Sequence, residues 1–274
     1  MITNKYNLPQ KIVDILLKDR YEKTPHRYSV TEIINSTAEV ILKRRYPNYY
    51  IPDASEFIPR LFGTAFHSLF DDGSEFAEQK LEVKIGDVTT LVGKIDRLEN
   101  DIITDYKTTS SYKVKIGDFS DWDRQGRIYA WMRYKNVTAV KLIRFIAFIK
   151  DWSVGQAERD PLYPQSQIYV YEFEPSIIEI LETGREIERK IYEIENNLNT
   201  PDNLLPFPTD EELWKTPDKW AVWKNGGKRA IRVCDSEAEA KKVGGDYIEF
   251  REGVYNKLKY DKELQALFKL AKLI

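Results

Sequence analysis

Cysteine is almost absent from this chain of 274 residues, which has one, Cys234. A single thiol cannot form a disulfide within the chain or supply the four thiolates of an iron–sulfur cluster, and so little cysteine is typical of a reducing compartment. No apolar run has the length of a membrane span, and the N-terminus has neither a secretory apolar core nor an arginine-rich transit pattern. We therefore expect a cytoplasmic protein without a membrane partner.

The sequence also lacks a glycine-rich phosphate loop, which excludes a P-loop ATPase or helicase within this chain. Neither sign of charge is in excess overall, because the formal net charge is −2. Residues 105–150 nevertheless contain ten Lys or Arg against four Asp. A locally basic surface favours contact with a phosphate backbone, the alternative being a solvated charged face. The candidate backbone contacts are Arg124, Arg127, Lys113 and Lys115.

Most of the chemical information lies in residues 93–108. Apolar residues on both sides of the polar stretch 99–101 predict two strands joined by a tight turn. Asp96 then lies opposite or diagonal to Asp105, and Lys107 points to the same face as Asp105 because side chains alternate along a strand. Carboxylates are preferred ligands of Mg²⁺ and Mn²⁺, and an adjacent amine can orient a water, so this hairpin predicts metal-assisted phosphodiester hydrolysis. The alternative is a solvated surface ion pair.

Three further polar signals flank the hairpin. His67 is the one imidazole on a predicted apolar helix and is either a ligand suited to Mn²⁺ or a buried core histidine. Gln125 and Tyr129 are one helical turn apart and share a face, which suits either a grip on a phosphate and a base or ordinary amphipathic packing. Glu82, on a strand predicted to neighbour Asp96, is either part of the site or a surface glutamate.

These residues occur in an order that resembles the motif series of RecB-like nucleases in the PD-(D/E)XK superfamily, which also contains lambda exonuclease and CRISPR-associated exonucleases. The resemblance covers roughly residues 60–135 and rests on His67, Gly93-x-x-Asp96, Asp105-x-Lys107 and Gln125-x-x-x-Tyr129. It implies an α/β fold with a restriction-endonuclease-like core, in which a central mixed sheet is flanked by helices.

The resemblance also implies a role for each motif residue. Asp96 and Asp105 bind Mg²⁺ or Mn²⁺, the Tyr106 carbonyl and His67 add ligands, and Lys107 assists the attacking water. Gln125 and Tyr129 hold the DNA near the cleavage point. Several RecB-like enzymes hold an iron–sulfur cluster with four cysteines, and this chain lacks those cysteines, so we expect no such cluster.

The implied function is a metal-dependent DNA nuclease, and we expect an exonuclease that acts on DNA ends in recombination, repair or replication. Expected partners are DNA with a free end and a helicase, a recombinase or a single-strand-binding protein. The alternatives are a structure-specific endonuclease of the same fold and a catalytically silent nucleic-acid-binding module. A silent module is expected to lose a metal ligand or the lysine, whereas Asp96, Asp105 and Lys107 are all present.

Local patterns predict a nuclease core with N-terminal helices at 1–198, a linker at 199–210 with three prolines, and a small C-terminal α+β appendage at 211–274. Residues 110–121 are predicted to form a polar loop over the site. The predicted helices of the core span residues 8–20, 29–46, 57–71, 122–135 and 176–198. Its predicted strands span residues 78–85, 88–98, 102–109, 137–152 and 166–173. The appendage is predicted to contain a hairpin around Asn225-Gly226, a helix capped by Asp235-Ser236, a strand at 246–251 and a helix at 256–273.

Overall fold

The computed structural model describes residues 2–17 and 23–274. The chain divides into two compact units, the first formed by Met1–Asn35 and Ile51–Asn199 and the second by Ser36–Tyr50 and Thr200–Ile274. Residues 36–50 are therefore grouped with the C-terminal residues, whereas the division drawn from the sequence places them in the core. In the described ranges, no helix combines the length and the apolar character that crossing a bilayer requires.

The described residues of the first unit build a six-stranded mixed sheet flanked by helices, which confirms the predicted fold class. The strands are β1 Arg27–Ser29, β2 Ala77–Ile85, β3 Thr89–Glu99, β4 Ile102–Thr109, β5 Leu142–Ile149 and β6 Ile168–Phe173. Their order is β1-β3-β4-β5-β6, with β2 paired to β3. The β1–β3 and β4–β5 pairs are parallel and the other pairs are antiparallel.

One edge of β3 is divided between two neighbours. Strand β2 pairs with β3 over nearly its whole length, so β1 and β4 must share the opposite edge. Strand β1 pairs with residues 90–92 and β4 with residues 97–99. Among the described strands, residues 93–96 have no partner on that edge, and the sheet forks there. Beyond the fork, residues 105–109 of β4 pair with β5 alone.

Helices are numbered here along the whole chain. They are α1 Gln10–Leu17, α2 Val30–Ile33, α3 Thr37–Arg45, α4 Ile58–Phe70, α5 Ser111–Ile116, α6 Ser120–Asn136, α7 Val154–Ala157, α8 Ile177–Asn197, α9 Glu237–Val243, α10 Asn256–Tyr260 and α11 Lys262–Leu270. Helices α4, α6 and α8 agree with the predicted spans within two residues at each end. The predicted extension of α1 to residue 20 falls outside the described residues.

Two helix boundaries predicted from the sequence are wrong. The helix expected at 29–46 is divided into α2 and α3, because the Ser36 hydroxyl caps α3 by accepting a hydrogen bond from the Glu39 N–H. The helix expected at 256–273 is divided into α10 and α11, because the Asp261 carboxylate caps α11 by accepting from the Leu264 N–H at 2.8 Å. In both places a capping residue starts a new helix inside a continuous apolar pattern.

The predicted polar loop at 110–121 is also wrong, because helix α5 occupies half of it. The Ser110 hydroxyl caps the start of α5 by accepting from the Lys113 N–H. Gly117 ends the helix in the left-handed conformation, with φ of 73°. This segment is thus a short, capped helix directly after β4.

The second unit contains a three-stranded antiparallel sheet in the order β8-β7-β9. These strands are β7 Lys219–Trp223, β8 Arg232–Cys234 and β9 Tyr247–Arg251. Helix α9 covers one face of the sheet, where Ala240 packs with Val222 and Cys234. Residues 199–210, predicted to be a linker from their prolines, include a 3-10 helix at Asp202–Leu204 and the buried Leu205.

Buried charge lies between α3 and α10 within this second unit. The Glu39 side chain is 2% exposed and lies 2.6 Å from the ammonium of Lys257 and 3.0 Å from that of Lys43. The Lys43 ammonium also lies 3.1 Å from the Asp261 carboxylate. We call these four residues the buried ion cluster.

Candidate active site

The fork in the sheet is the place where the two predicted aspartates meet. The register pairs Arg97 with Thr104, so the next residues, Asp96 and Asp105, follow on neighbouring strands at the point where pairing ends. The Tyr106 N–H, at the end of the ladder, donates to Asp96 Oδ2 at 2.8 Å. A side-chain carboxylate therefore takes the place of a strand partner and stays fixed at the fork.

His67 is held against the same carboxylate. Its Nδ1 lies 3.0 Å from Asp96 Oδ2, and this hydrogen bond raises the pKa of His67 against the opposing effect of burial. Helix α4 carries His67, and the Phe70 ring at its end stacks on the Tyr106 ring with centroids 4.0 Å apart. The stacking fixes the helix over β4, so the structure brings His67, Asp96 and Tyr106 together.

Asp105 is the most buried polar residue of the site, with 5% of its side chain exposed. Its Oδ1 accepts a hydrogen bond from Gln125 Nε2 at 3.2 Å. Its Oδ2 lies 2.7 Å from Lys107 Nζ in an ion pair. Burial raises the pKa of Asp105 to about 6, while the Lys107 ammonium opposes the shift.

Gln125 connects the members of this group. Its Oε1 accepts from Lys107 Nζ at 2.8 Å, and its Nε2 donates to Asp105 and, at 3.3 Å, to the Tyr129 hydroxyl. Helix α6 reaches the sheet closely because Gly126 follows Gln125, and a Cβ there would lie 2.8 Å from Ile143 Cγ2. The sequence predicts that Gln125 and Tyr129 share a face, but it does not reveal that the amide bonds inward to Lys107 and Asp105.

Gly93 explains why Tyr129 can lie against β3. A Cβ at this position would come within 2.9 Å of the Tyr129 ring and 3.1 Å of Val30. The absence of a side chain at Gly93 therefore makes room for a buried tyrosine, and this burial raises the pKa of Tyr129. In the motif Gly93-x-x-Asp96, the glycine therefore allows Tyr129 to pack against β3, and the aspartate lies at the fork of the sheet.

The donor set of the fork fits a hard divalent cation. The Asp105 and Asp96 carboxylates stand at the same fork and supply the anionic oxygen atoms that Mg²⁺ and Mn²⁺ prefer as ligands. Within residues 2–17 and 23–274, no three His, Cys, Asp or Glu side chains already surround a common point. The side-chain donors are thus two carboxylates, with His67 in contact with one of them, and backbone or water oxygens are needed to complete a shell.

A cleft of about 550 Å³ adjoins the site along β3 and was not predicted from the sequence. Tyr129 and Gly93 line it on the side of the site, and aliphatic, hydroxyl and charged side chains line the remainder. The polar lining residues are Ser29, Thr31, Lys80, Lys94 and the ion pair of Arg27 with Glu82. The one signal in the sequence is the pattern from Ser29 to Glu32, which forms a capping box at the start of α2 and places both hydroxyl residues at the cleft.

The structure does not bring the other predicted site residues to the carboxylates. Glu82 is opposite Val92 in the sheet and pairs with Arg27. The Arg124 guanidinium donates to the Ile34 carbonyl at 3.4 Å. The remaining cations have acidic partners on neighbouring elements, in the pairs Arg127–Glu179 at 3.1 Å, Lys113–Asp121 at 2.5 Å and Lys115–Asp160 at 2.6 Å. Their contact with DNA stays a prediction.

Comparison with known proteins gives one family. A family model described as the PD-(D/E)XK nuclease superfamily matches residues 11–197. No curated protein sequence matches.

Several solved structures resemble the chain at low identity. A protein described as SSO0001 is 17% identical over 70% of this chain and 85% of its own, with a TM-score of 0.46. The alkaline exonuclease LHK-Exo from Laribacter hongkongensis is 12% identical over 69% of this chain and 94% of its own, with a TM-score of 0.40. A phage-related exonuclease from Haemophilus somnus is 11% identical over 69% of this chain and 79% of its own, with a TM-score of 0.29.

Proposed function

Because the chain belongs to the PD-(D/E)XK nuclease superfamily, we propose that it is a Mg²⁺- or Mn²⁺-dependent deoxyribonuclease that acts on DNA ends. One observation carries this proposal. The buried Asp105 carboxylate and the Asp96 carboxylate stand at one fork of the sheet, with Lys107 2.7 Å from Asp105 and His67 3.0 Å from Asp96. Two adjacent carboxylates repel one another, and a divalent cation bound by both would offset their charge.

The proposed roles combine this geometry with the roles that the family resemblance implies. Asp96 and Asp105 hold the metal, with the Tyr106 carbonyl and His67 as further ligands. When bound, the cation polarises the scissile phosphate and lowers the pKa of a water. Lys107 orients the attacking water and offsets the negative charge that builds on the phosphate oxygens. Hydrolysis joins the water oxygen to phosphorus, breaks one P–O bond, and leaves the proton on the departing oxygen.

Gln125 and Tyr129 have different tasks in this proposal. Gln125 keeps Lys107 and Asp105 in their relative positions through its three hydrogen bonds. Tyr129 lies at the border between the carboxylates and the cleft along β3. A cleft of about 550 Å³ is within the usual range of small-ligand sites, roughly 300–1,000 Å³, and its mixture of aliphatic and polar side chains suits the base and sugar of a terminal nucleotide. This cleft supports action at a DNA end.

The cellular setting is proposed from the resemblance alone. An enzyme that trims DNA ends serves recombination, repair or replication in the cytoplasm, and it works beside a helicase, a recombinase or a single-strand-binding protein. Co-purification of tagged protein with one of these classes from its own cells, resistant to DNase treatment, tests the setting separately from the chemistry.

The chemistry is tested with the purified chain, Mg²⁺ or Mn²⁺, and end-labelled DNA. Asp96→Asn and Asp105→Asn should each abolish cleavage, because each removes an anionic ligand, and each should weaken Mn²⁺ binding in a calorimetric titration. Asp101→Asn is the matched control, since Asp101 lies in the turn of the same hairpin and pairs with Lys141. Near-normal cleavage by Asp105→Asn would contradict the assignment of the site.

The requirement for an end is tested on linear and covalently closed circular DNA of one sequence, each in single- and double-stranded form. Linear DNA should be shortened progressively to small products, while closed circles should resist. Cutting of closed circles at internal sites would indicate an endonuclease instead of an exonuclease. The proposed metal site would be the same for both activities.

A further inference from the structure

The sheet of the second unit has an aromatic surface on the face opposite to α9. Trp223 of β7 and Tyr247 of β9 are directly opposite in register, and their rings are parallel within 3° at a centroid distance of 6.1 Å. The Arg251 guanidinium lies 5.6 Å from the Trp223 ring, and the Trp223 N–H donates to Glu249 at 2.9 Å. The two rings are therefore held in one orientation while Tyr247 stays 49% exposed.

The loop that follows Trp223 is strongly basic. It contains Lys224, Lys228 and Arg229, and no acidic residue occurs from 224 to 233. All three side chains are exposed, and in the part of the chain that the structure describes no carboxylate pairs with any of them.

The carboxylate of Asp246, beside this loop, binds the backbone of the loop. Asp246 accepts the Asn225 N–H at 2.6 Å, and its own N–H donates to the Trp223 carbonyl at 2.7 Å. Gly226 completes the turn in the left-handed region, with φ of 74°. These bonds fix the loop at the same end of the sheet as the two rings. We name Trp223, Tyr247, Lys224, Lys228 and Arg229 together the stacking surface.

We propose that the stacking surface binds single-stranded DNA. Bases stack on exposed aromatic rings without regard to sequence, and nearby cations neutralise the phosphates between them. A duplex keeps its bases inside the helix, so it reaches the cations but not the rings. An acidic protein surface would also complement the positive charge of the loop. The fixed, parallel rings favour single-stranded DNA, because planar bases can stack on them. The inference rests on the proposed function only for the identity of the strand as DNA.

The charge part of this proposal is tested by fluorescence anisotropy with a labelled single strand, in Ca²⁺ and over a range of salt concentrations. Simultaneous replacement of Lys224, Lys228 and Arg229 by Gln should weaken binding at least tenfold and reduce the slope of log affinity against log salt by roughly 2. The matched control replaces three exposed lysines elsewhere in this unit, Lys242, Lys259 and Lys269, by Gln and should leave the slope unchanged.

The stacking part is tested with Tyr247→Ala, which should weaken single-strand binding roughly tenfold, while Tyr247→Phe keeps the ring and the affinity. The affinity for a duplex of the same sequence should not change with Tyr247→Ala. Single-strand affinity that is unchanged in both the triple variant and Tyr247→Ala would overturn the proposal, as would an equal loss in the matched control. Cleavage of an oligonucleotide of roughly four nucleotides reports separately on the proposed nuclease function, because a strand this short fills no more than one binding site of the usual size.

Discussion

Gln125 satisfies both ends of its amide within the candidate site. Its carbonyl oxygen accepts from the Lys107 ammonium, and its two N–H groups donate to the Asp105 carboxylate and the Tyr129 hydroxyl. The amide thus holds a cation and an anion that are already in contact at 2.7 Å. A residue placed in this way acts through Lys107 and Asp105, so its effect on rate depends on whether they are present.

This dependence predicts the outcome of a double-mutant cycle measured under single-turnover conditions with saturating enzyme. Lys107→Met should lower the cleavage rate by roughly a hundredfold or more, with DNA affinity in Ca²⁺ nearly unchanged. Gln125→Leu should lower the rate less, and the double variant should be little slower than Lys107→Met alone, because residues that act as a unit are not additive. Lys113→Met, whose ammonium pairs with Asp121, is the control and should keep the rate. Additive losses would show that Gln125 acts independently of Lys107.

At the scale of elements, glycines set how closely the helices of the first unit approach their neighbours. Helix α6 lies against α8 with the Trp131 indole directly over Gly184, where a Cβ would be 2.1 Å from Nε1. Gly63 in α4 has the same helical backbone, yet no atom lies within 4 Å of a Cβ built there. The two positions differ in packing while they share the same intrinsic preference for alanine.

Alanine substitutions at these two glycines should therefore have opposite effects on the free energy of unfolding. Gly184→Ala should lower it by about 1–3 kcal/mol, because the methyl group displaces Trp131 and separates α6 from α8. Gly63→Ala should raise it by about 0.5–1 kcal/mol through helix propensity alone. Urea unfolding followed by circular dichroism gives both values. A shift in the same direction for the two variants would refute the steric explanation.

The local elements of the first unit could be predicted because their signals are local. The hairpin β3–β4 follows from alternating apolar residues around a polar turn, and the order of motifs over roughly residues 60–135 indicates the family. Helix α5 was missed although Ser110 and Gly117 are ordinary capping residues, because the polar residues between them favour a loop. Strand β1 is three residues long and depends on pairing with the distant residues 90–92, so nothing in its own sequence predicts it.

The partners of the basic residues could not be predicted for the same reason. Lys115 pairs with Asp160, and Arg127 pairs with Glu179 on α8, so each partner is far away in the sequence. A count of charges along residues 105–150 therefore overestimates the positive charge that is available for DNA. The sequence indicates which residues share an element, while the fold decides which charges cancel.

At the scale of the whole molecule, the buried ion cluster joins two distant segments of the second unit. Glu39 lies on α3 and Lys257 on α10, and their side chains are 2% and 9% exposed. Burial lowers the pKa of Lys43, but Glu39 and Asp261 more than offset this and raise it above its ordinary value. This contribution of Lys43 to stability is present at neutral pH and is lost only when the pH rises through that raised pKa.

Removing one partner of this cluster should be costly, because it leaves Glu39 buried with less compensation. Lys257→Met should lower the free energy of unfolding of the second unit by about 3–5 kcal/mol. Lys259→Met, on the exposed side of the same helix, should change it by no more than about 0.5 kcal/mol. Adding Glu39→Gln to Lys257→Met should recover part of the loss, as measured by urea unfolding. No recovery would mean that packing of the lysine stem, and not charge, accounts for the effect.

The fork in the first sheet has a consequence for the order in which the chain is synthesised. Asp105 and Lys107 lie on the part of β4 that pairs with β5 alone, and β5 begins at Leu142. A ribosome that has translated as far as Tyr129 has already produced every side chain of the candidate site, but not the strand that holds Asp105 and Lys107 in place. We therefore expect the candidate site to assemble only after residues 142–149 have left the exit tunnel and joined the sheet. Under the proposed function, the nascent chain would gain nuclease activity only at that stage of its synthesis.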